Sequence, residues 1–468
     1  MAKPVNRGGG CQMAINQEIG AEASPLSADA PWPSARRAWY SITIIALVSM
    51  MSNIDRGIIN LLVEPIKRDM HLSDTSVSLL VGFAFSFFYM ICGLPMARVA
   101  DRSSRKIILT SALALWSMAT ALCGLAQTFW QLFAARGLVG AGESVKGPCS
   151  MSMIADLVPR HRLPRAFAIY QLGINAGMSG SLIIGGLLLA LLAGMDPLHL
   201  PGGLVIKDWH MVFLLCGAPG LLLALLMART IREPARRGRR SATGEQVPIR
   251  EVIRFIVAHW RIYLPLLLSV AISSIETFGM MVWRPALFER TWGWGPGVAG
   301  PLLGAMMLIA SPLGLALGAA FAEFLIRRKH DDAMLRVCFF AHALAVPLAI
   351  AMPLMPSPWL AFGVGTLAMT AAAMASPGLN SAIQILTPNE MRGQINAVYL
   401  FSISVIGGGL GPVAIALITD GVFQDESMLR YSMALFVALV GPVGVWLTWL
   451  TLKPYAIAIR KIDAAERA

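Results

Sequence analysis

VPRHRLPRAFAIY, at residues 158–170, is followed 229 residues later by a related stretch, TPNEMRGQINAVY, at residues 387–399. Each has proline in second place, a basic residue near the middle and a closing alanine, isoleucine or valine, and tyrosine. A weaker pair, ADRSSRK at 100–106 and AEFLIRRK at 322–329, has nearly the same spacing. A repeat of this length predicts two similar halves in parallel orientation, as in transporters whose halves rock about a central substrate site.

The composition places these halves in a membrane. Of the 468 residues, 56% are hydrophobic and only 14% are charged, and the mean hydropathy is +0.65. Soluble domains are less apolar and carry roughly 25% charged residues. At about 20 apolar residues per crossing, the chain has room for about a dozen helices and for no large soluble domain. A soluble enzyme is therefore excluded.

We predict an all-α membrane protein with twelve transmembrane helices, arranged as two pseudo-symmetric six-helix bundles around a central cavity. The apolar segments are 38–63, 75–99, 107–126, 130–157, 165–193, 210–230, 261–288, 297–326, 333–352, 358–386, 393–419 and 429–453. The predicted organisation is a disordered tail at 1–37, an N-terminal bundle at 38–230, a basic linker at 231–260, a C-terminal bundle at 261–453 and a C-terminal tail at 454–468.

Basic residues predict the orientation. With this arrangement, 29 of the 38 Lys and Arg residues fall in the two tails and in the connections on one side. Cytoplasmic loops accumulate such residues, so both termini are expected in the cytoplasm. The basic linker predicts a solvated connection, with binding of acidic lipid headgroups as a second interpretation.

Local motifs resemble a known family. The segment GLPMARVADRSSRK (93–106) resembles the signature between helices 2 and 3 of the major facilitator superfamily, and RGLVGAGE (136–143) resembles its helix 4 pattern. Together with NIDRGIIN (53–60) and GFAFSFFYM (82–90), these motifs resemble the Spinster-type branch, and we expect a bacterial member of it. That resemblance implies the fold of the superfamily and a substrate such as sphingosine phosphate or a lysophospholipid.

Charged residues inside the predicted helices are few. An ionisable group near the bilayer centre costs at least about 2.5 kcal/mol, so each needs a partner or a water-filled cavity. We take these charges as candidates for function, with fixed ion pairs between helices 1 and 4 as the alternative. They are Asp55 and Arg56 in helix 1, Arg136, Glu143 and Lys146 in helix 4, and Glu276 and Arg284 in helix 7.

Two of the carboxylates are candidates for proton coupling. Moving an arginine away from a buried carboxylate changes whether that carboxylate holds a proton. The resemblance places helices 1 and 4 at the central cavity. Asp55 is therefore the first candidate for the proton site and Glu143 the second.

The remaining charges predict a substrate site. Guanidinium groups match phosphate and carboxylate, so Arg56 and Arg136 are expected to hold an acidic headgroup. Lys146 and Glu276 are assigned to the same site. The favoured substrate is an amphipathic anion, and the alternative is a small organic anion such as a sugar acid or an aromatic acid. A non-transporting membrane sensor is a third, less favoured interpretation.

A separate group of charges predicts an inner gate. Asp101 lies near the start of helix 3 and Asp156 at the end of helix 4. Arg102 or Arg105 is expected to reach Asp156 and to latch the inner side while the cavity opens outward.

The sequence has no motif for a phosphate-binding loop, a disulfide framework or a metal site. GAGESVKG (140–147) has Val145 in place of the glycine that precedes lysine in a phosphate-binding loop. The five cysteines after Cys11 lie singly in apolar stretches, which is typical of buried side chains rather than of a disulfide framework or a metal site. We therefore expect no cofactor, no metal, no enzymatic activity and no nucleic-acid partner. We expect a monomer in a bacterial inner membrane, in contact with membrane lipids and protons.

Overall fold

The computed structural model describes residues 32–200, 204–236, 248–388 and 391–467. Within these ranges, the side chains of residues 94, 97, 101, 102, 200, 204, 249, 376, 377, 380, 393, 397 and 462–467 are not described. Most of the predicted N-terminal tail, residues 1–31, lies outside the described residues, and the first helix begins at Ala35.

The N-terminal half contains six membrane segments. They are α1 (Ala35–Gly57, continued by a 3-10 turn, Ile58–Leu61), α2 (Ala84–Arg102, preceded by Asp74–Ser78 and a π segment, Leu79–Phe83), α3 (Arg105–Cys123), α4 (Phe129–Glu143 and Lys146–Leu157), α5 (Leu163–Leu192) and α6 (Asp208–Thr230). A short helix, Val63–Met70, connects α1 to α2, and a 3-10 turn, Arg160–Arg162, precedes α5.

The C-terminal half repeats this arrangement. Its segments are α7 (Trp260–Trp292), α8 (Pro296–Arg327), α9 (Ala333–Leu354), α10 (Pro358–Leu386), α11 (Arg392–Phe401, π segment Ser402–Leu410, Gly411–Leu417 and π segment Ile418–Phe423) and α12 (Leu429–Arg467). A 3-10 turn, Glu426–Met428, precedes α12. The predicted linker contains a helix of its own, Ile249–Ala258, and α12 continues through the predicted C-terminal tail.

The predicted fold class is confirmed, with two details that the sequence did not indicate. Within the described residues, eleven helices are long and apolar enough to cross a membrane. The twelfth segment, α4, is interrupted by a turn at Ser144 and Val145, so neither of its pieces meets that length. The connection between α5 and α6 holds a small antiparallel hairpin, β1 (Leu198–Leu200) paired with β2 (Leu204–Ile206), which pairs Leu198 with Ile206.

The twelve segments define two ends of the molecule. We call the end with the connections 103–104, 158–162, 231–236, 248–259, 328–332 and 387–388 the basic end, because most of the Lys and Arg residues that the structure describes are there. The opposite end, with the connections 62–73, 124–128, 193–207, 293–295, 355–357 and 424–428, is the far end.

The two halves pack against each other toward the far end. There, one apolar cluster joins both halves, with Ile58 and Leu61 on one side and Trp283 and Leu287 on the other. Toward the basic end, each half has a separate cluster of its own. Burial of apolar surface therefore holds the halves together at one end and leaves them apart at the other.

Glycines allow this close contact between the halves. A Cβ atom on Gly82 of α2 would lie 2.6 Å from the carbonyl oxygen of Gly408 in α11. On Gly304 of α8 it would lie 2.7 Å from the carbonyl oxygen of Ser179 in α5. Because carbon and oxygen cannot approach so closely, only glycine lets these backbones meet.

Candidate functional site

A cavity of about 1070 Å³ lies between α5 of the N-terminal half and α7 to α10 of the C-terminal half. It extends to Gln384 and Tyr399, which lie near the basic end. This volume is at the upper end of the range for small-molecule sites. In this conformation, the protein is closed at the far end and has its cavity reaching toward the basic end.

The cavity wall is mostly apolar, with a few polar groups. Seven methionines line it, namely Met178, Met280, Met281, Met307, Met334, Met352 and Met369. Polar side chains from α5 and α10 line it too, including Gln171, Asn175 and Gln384. Flexible thioether side chains adapt to apolar ligands of irregular shape.

Two charged residues of α7, Glu276 and Arg284, also line this cavity. Nη1 of Arg284 is 4.0 Å from Sδ of Met369, and its Nε has no hydrogen-bond partner. Among the described residues, neither charge forms an ion pair with a side chain of opposite sign. The structure thus places the predicted residue Glu276 at the cavity, and its role in substrate binding stays a prediction.

A second set of charges lies inside the N-terminal half. We call Asp55, Arg136, Glu143 and Lys146 the N-half charge cluster. The side chains of Asp55, Arg136 and Glu143 are at most 1% exposed. Nη1 of Arg136 donates to the backbone oxygen of Asp55 at 3.3 Å, and Nζ of Lys146 donates to Oγ of Ser52 at 2.6 Å. The cluster therefore ties α4 to α1.

Hydrogen bonding within the N-half charge cluster is incomplete. Neither carboxylate oxygen of Asp55 accepts a hydrogen bond of normal geometry, and the indole N–H of Trp116, which interacts with this carboxylate, does not donate one. Nε and Nη2 of Arg136 and Oε1 of Glu143 are also without partners. Buried polar groups without partners are costly and are typical of sites that change their contacts or their protonation.

Arg56 lies beside this cluster and contacts an aromatic ring. Its guanidinium carbon is 4.4 Å from the ring centre of Phe85, and that of Arg136 is 5.7 Å from the same ring. A phenyl face attracts a cation, so Phe85 stabilises two neighbouring guanidinium groups.

The residues predicted to bind substrate thus fall in two places. Glu276 lines the cavity, whereas Arg56, Arg136 and Lys146 are not among its lining residues. The expectation that the charges of helices 1 and 4 face the shared cavity stays a prediction for Arg56 and Lys146, which are half-buried. Asp55, Arg136 and Glu143 do not line this cavity in this conformation. The physical reason is that α4 directs Arg136 and Glu143 into the packed interior of the N-terminal half, where burial is nearly complete.

An ionic network joins the two halves at the far end. Arg290 of α7 donates from Nε to Oε1 of Glu64 at 2.7 Å and from Nη1 and Nη2 to the two carboxylate oxygens of Asp74, each at 2.7 Å. Lys67 pairs with Asp74 and also with Glu426, whose Oε1 is 2.7 Å from Nζ. We call these five residues the far-end network.

Further contacts surround the far-end network. Arg68 pairs with Glu289, and Asp420 accepts two hydrogen bonds of 2.7 Å from the backbone N–H and the hydroxyl of Thr75. The far-end network was not predicted from the sequence. Basic residues on the sparsely charged side, Lys67 and Arg290 among them, have acidic residues close to them in the sequence. This pattern could have indicated ion pairs at that end.

The predicted inner-gate residues lie within one half. Nη1 of Arg105 is 2.5 Å from Oδ2 of Asp156, and its Nε donates to Oε1 of Glu233 at 2.9 Å. Arg105 and Asp156 belong to the N-terminal half and Glu233 to the start of the linker, so this contact fastens α3 to α4 and to the segment after α6. The side chains of Asp101 and Arg102 lie outside those that the structure describes. A role of these residues as a conformational switch stays a prediction.

Glu233 provides a test of this contact. Burial raises the pKa of this carboxyl group, but the N–H of Lys106, the hydroxyl of Ser104 and the guanidinium of Arg105 together lower it by more, so the pKa lies below its usual value. A carboxyl group with a lowered pKa stabilises the fold above its usual pKa and loses this contribution as the pH falls through the lowered pKa.

We expect Glu233→Gln to lower the free energy of unfolding by about 1 kcal/mol at neutral pH. Thermal unfolding of the two proteins, measured from pH 7 to pH 3, should show the difference shrinking below about pH 4. Glu323→Gln, in an exposed position of α8, is the control. A difference that stays constant over this pH range would contradict the assignment.

The fold and the cavity define a class of protein: a multi-pass membrane transporter with two six-helix halves around a central binding region. The family model described as Major Facilitator Superfamily matches residues 45–412. The chain belongs to this superfamily.

Comparisons with individual proteins agree with the predicted branch. The chain is 28% identical over 440 residues to an MFS-type efflux pump of Mycolicibacterium smegmatis, which covers 90% of this chain and 94% of that protein. It is 23% identical over 406 residues to protein spinster of Drosophila melanogaster, covering 83% of this chain and 63% of the fly protein. The predicted similarity to Spinster-type proteins is confirmed.

A solved structure has the same fold. It is that of a bacterial homolog to the human lysosomal transporter Spinster, in an inward-facing and unoccupied conformation. The TM-score is 0.74 at 24% sequence identity, and the match covers 92% of this chain and 98% of that chain.

Proposed function

We propose that the protein is a proton-coupled secondary transporter of an amphipathic anion, such as a lysophospholipid or a sphingoid phosphate, and that it works by alternating access. The observation that carries this proposal is the N-half charge cluster. Two carboxylates and the guanidinium of Arg136 are buried there with hydrogen-bonding capacity left unused, next to the half-buried Lys146. Such an arrangement supports reversible protonation because small shifts of a helix change which charges are compensated.

Asp55 and Glu143 are the proposed proton sites. In the conformation described here, Arg136 contacts the backbone of Asp55 and not its carboxylate. A rearrangement of α1 against α4 that brings the guanidinium to the carboxylate would favour release of a proton, and the reverse movement would favour uptake. This exchange links the protonation state to the relative position of two helices.

The cavity supports the amphipathic substrate. Its methionine-rich wall accommodates an alkyl or other apolar body, and its few polar groups orient one end. Arg56 and Arg136 are proposed to bind the acidic group once movement of α1 and α4 exposes them. The resemblance to the Spinster-type branch, which implies a lysophospholipid or a sphingoid phosphate, supports this substrate, and the similarity to protein spinster agrees with that branch.

A small organic anion is the second candidate. Gln171, Asn175 and Gln384 place amide groups on the cavity wall, and amides form hydrogen bonds with the hydroxyl groups of a sugar acid. The apolar character of the rest of the wall makes this candidate the weaker one.

The basic residues and the far-end network support an orientation in the membrane and a location of the outer gate. The basic end is proposed to face the cytoplasm of a bacterial cell, with both termini on that side and the protein acting as a monomer in the inner membrane. The far-end network would then close the outer side in the conformation described here. Opening the outer side requires the halves to separate at this network, while the basic end closes.

Transport in liposomes tests the proposed function. Purified protein would be reconstituted with oleoyl lysophosphatidic acid or with glucuronate as the substrate, with and without a pH gradient. We expect the gradient to drive accumulation of the lysolipid well above the level in protein-free vesicles. Accumulation of glucuronate alone would favour the second candidate. Uptake of the lysolipid to the same level with and without the pH gradient would contradict proton coupling.

A further inference from the structure

Arg284 differs from the other buried arginines of the membrane region. Arg290, less than two turns further along α7, is held by two carboxylates, and Arg136 lies among the carboxylates of the N-half charge cluster. Among the described residues, Arg284 has no carboxylate partner, and the nearest recorded contact of its guanidinium is the sulfur of Met369. A thioether is only a weak hydrogen-bond acceptor.

An uncompensated guanidinium at this depth needs an explanation. A charged side chain near the bilayer centre costs at least about 2.5 kcal/mol, and among the described residues no acidic side chain pairs with Arg284 to offset such a cost. The side chain does not face lipid, because it lines the cavity, and it is neither fully buried nor exposed. The group that completes its hydrogen bonding therefore has to come from within the cavity.

Chemistry restricts what that group can be. A guanidinium presents a planar fork of donors, and phosphate, carboxylate and sulfate groups match it with two parallel hydrogen bonds. The neighbouring wall, with Met281 and Met369, accommodates an apolar body beside the acidic group. Glu276 lies eight residues away on the same helix, or about 12 Å along its axis, which is too far for it to pair with Arg284.

We infer that Arg284 binds the acidic group of the substrate while the far end is closed. The inference rests on the proposed function. It names the residue that binds an amphipathic anion before Arg56 and Arg136 do. Because α7 runs from the basic end to the far end, the acidic group lies on the far-end side of Glu276. Arg56 and Arg136 do not line this cavity in this conformation, so under this inference they bind the acidic group only after the halves rearrange.

Binding to the wild type and to three variants of the full-length protein in lipid nanodiscs tests this inference. The probes are oleoyl lysophosphatidic acid, its uncharged counterpart monoolein, and benzoate as a small acid without an alkyl chain. We expect Arg284→Gln to weaken binding of lysophosphatidic acid by about 10- to 100-fold, the loss typical of a charged hydrogen bond. Binding of monoolein should change by less than about three-fold, because it makes no ionic contact.

Two further variants keep the test decisive. Arg284→Lys retains the charge and should retain the preference for the acid over monoolein. Arg430→Gln is the matched control, since Arg430 is a partly buried arginine at the far end that donates to the backbone oxygen of Met355 and does not line the cavity. It should bind all probes as the wild type does.

The outcomes separate the inference from the proposed function. If the wild type prefers lysophosphatidic acid to monoolein and Arg284→Gln keeps that preference, the inference is wrong and the proposed function stands. If the wild type binds monoolein as tightly as the acid, or binds none of the probes, the proposed substrate class fails and the inference fails with it. Preference for benzoate, lost in Arg284→Gln, would support the assignment of Arg284 with a small acid as the substrate.

Discussion

Replacing Arg290 with glutamine is expected to open the far end and to reduce transport by at least about ten-fold. The side chain of Arg290 is 8% exposed, and the two carboxylates that it binds, Glu64 and Asp74, are 7% and 0% exposed. Removing one partner of a buried ion pair costs about 3–5 kcal/mol, because it leaves charge without compensation. This cost applies only to the conformation in which the far end is closed, so the equilibrium shifts toward the alternative conformation.

Spin-label distances measure this shift. Labels at Asp196 in the N-terminal half and Gln424 in the C-terminal half are exposed positions at the far end, outside the network. The distribution of distances between them should move to longer values in Arg290→Gln. Arg430→Gln serves as the control, because Arg430 bonds within its own half. An unchanged distribution in Arg290→Gln would show that the far-end network does not hold the halves together.

Replacing Asp55 with asparagine is expected to abolish accumulation driven by a pH gradient while binding of substrate remains measurable. Asparagine has nearly the same shape as aspartate but does not exchange a proton, so the fold and the cavity should persist without coupling. The expected loss is at least about ten-fold in the accumulation ratio across reconstituted vesicles, since the substrate would then only equilibrate.

Asp69→Asn is the matched control for this experiment. Asp69 lies at the far end of the same half, where it pairs with Lys207 and accepts a hydrogen bond from Trp209. Burial raises the pKa of Asp69, but these contacts lower it by more, so the group stays ionised near neutral pH and does not exchange protons there. Unchanged accumulation in Asp55→Asn would remove Asp55 from the mechanism, and Glu143→Gln would then be tested in its place.

Sequence reasoning predicts the membrane segments and their internal charges well, and physical reasons explain why. An apolar run of about 20 residues is specific for a membrane helix, and a charge within it, such as Asp55 or Arg136, is visible against that background. The repeat at 158–170 and 387–399 likewise indicates two halves. These features are local, or they recur at a fixed spacing along the chain.

The far-end network could not be predicted in the same way. Arg290 is separated from Glu64 by 226 residues and from Asp74 by 216. Charges at the ends of membrane helices usually face water, and nothing in the sequence distinguishes those that meet across an interface. Only the packing of α7 against the connection between α1 and α2 brings them together.

The location of the cavity could not be predicted from the sequence either. The charged residues of helices 1 and 4 drew attention to the N-terminal half, whereas the cavity lies mainly among α7 to α10. Which face of an apolar helix lines a cavity depends on its tilt and on its neighbours, and Arg136 shows that a charge in a membrane helix can equally point into a packed interior. The turn at Ser144 and Val145 within α4 was missed because both neighbouring stretches are typical of helices.

Helix α12 gives the C-terminal half a rigid extension. Its 39 residues span about 58 Å, roughly twice the thickness of the hydrocarbon layer. Near the basic end, Nε of Arg460 bonds Oδ2 of Asp331 at 2.5 Å, which fixes the protruding part to the connection between α8 and α9. A tilt of a few degrees in the C-terminal half would move the C-terminal end of α12 by several ångströms. A fluorophore fused after this helix would therefore be displaced in each transport cycle.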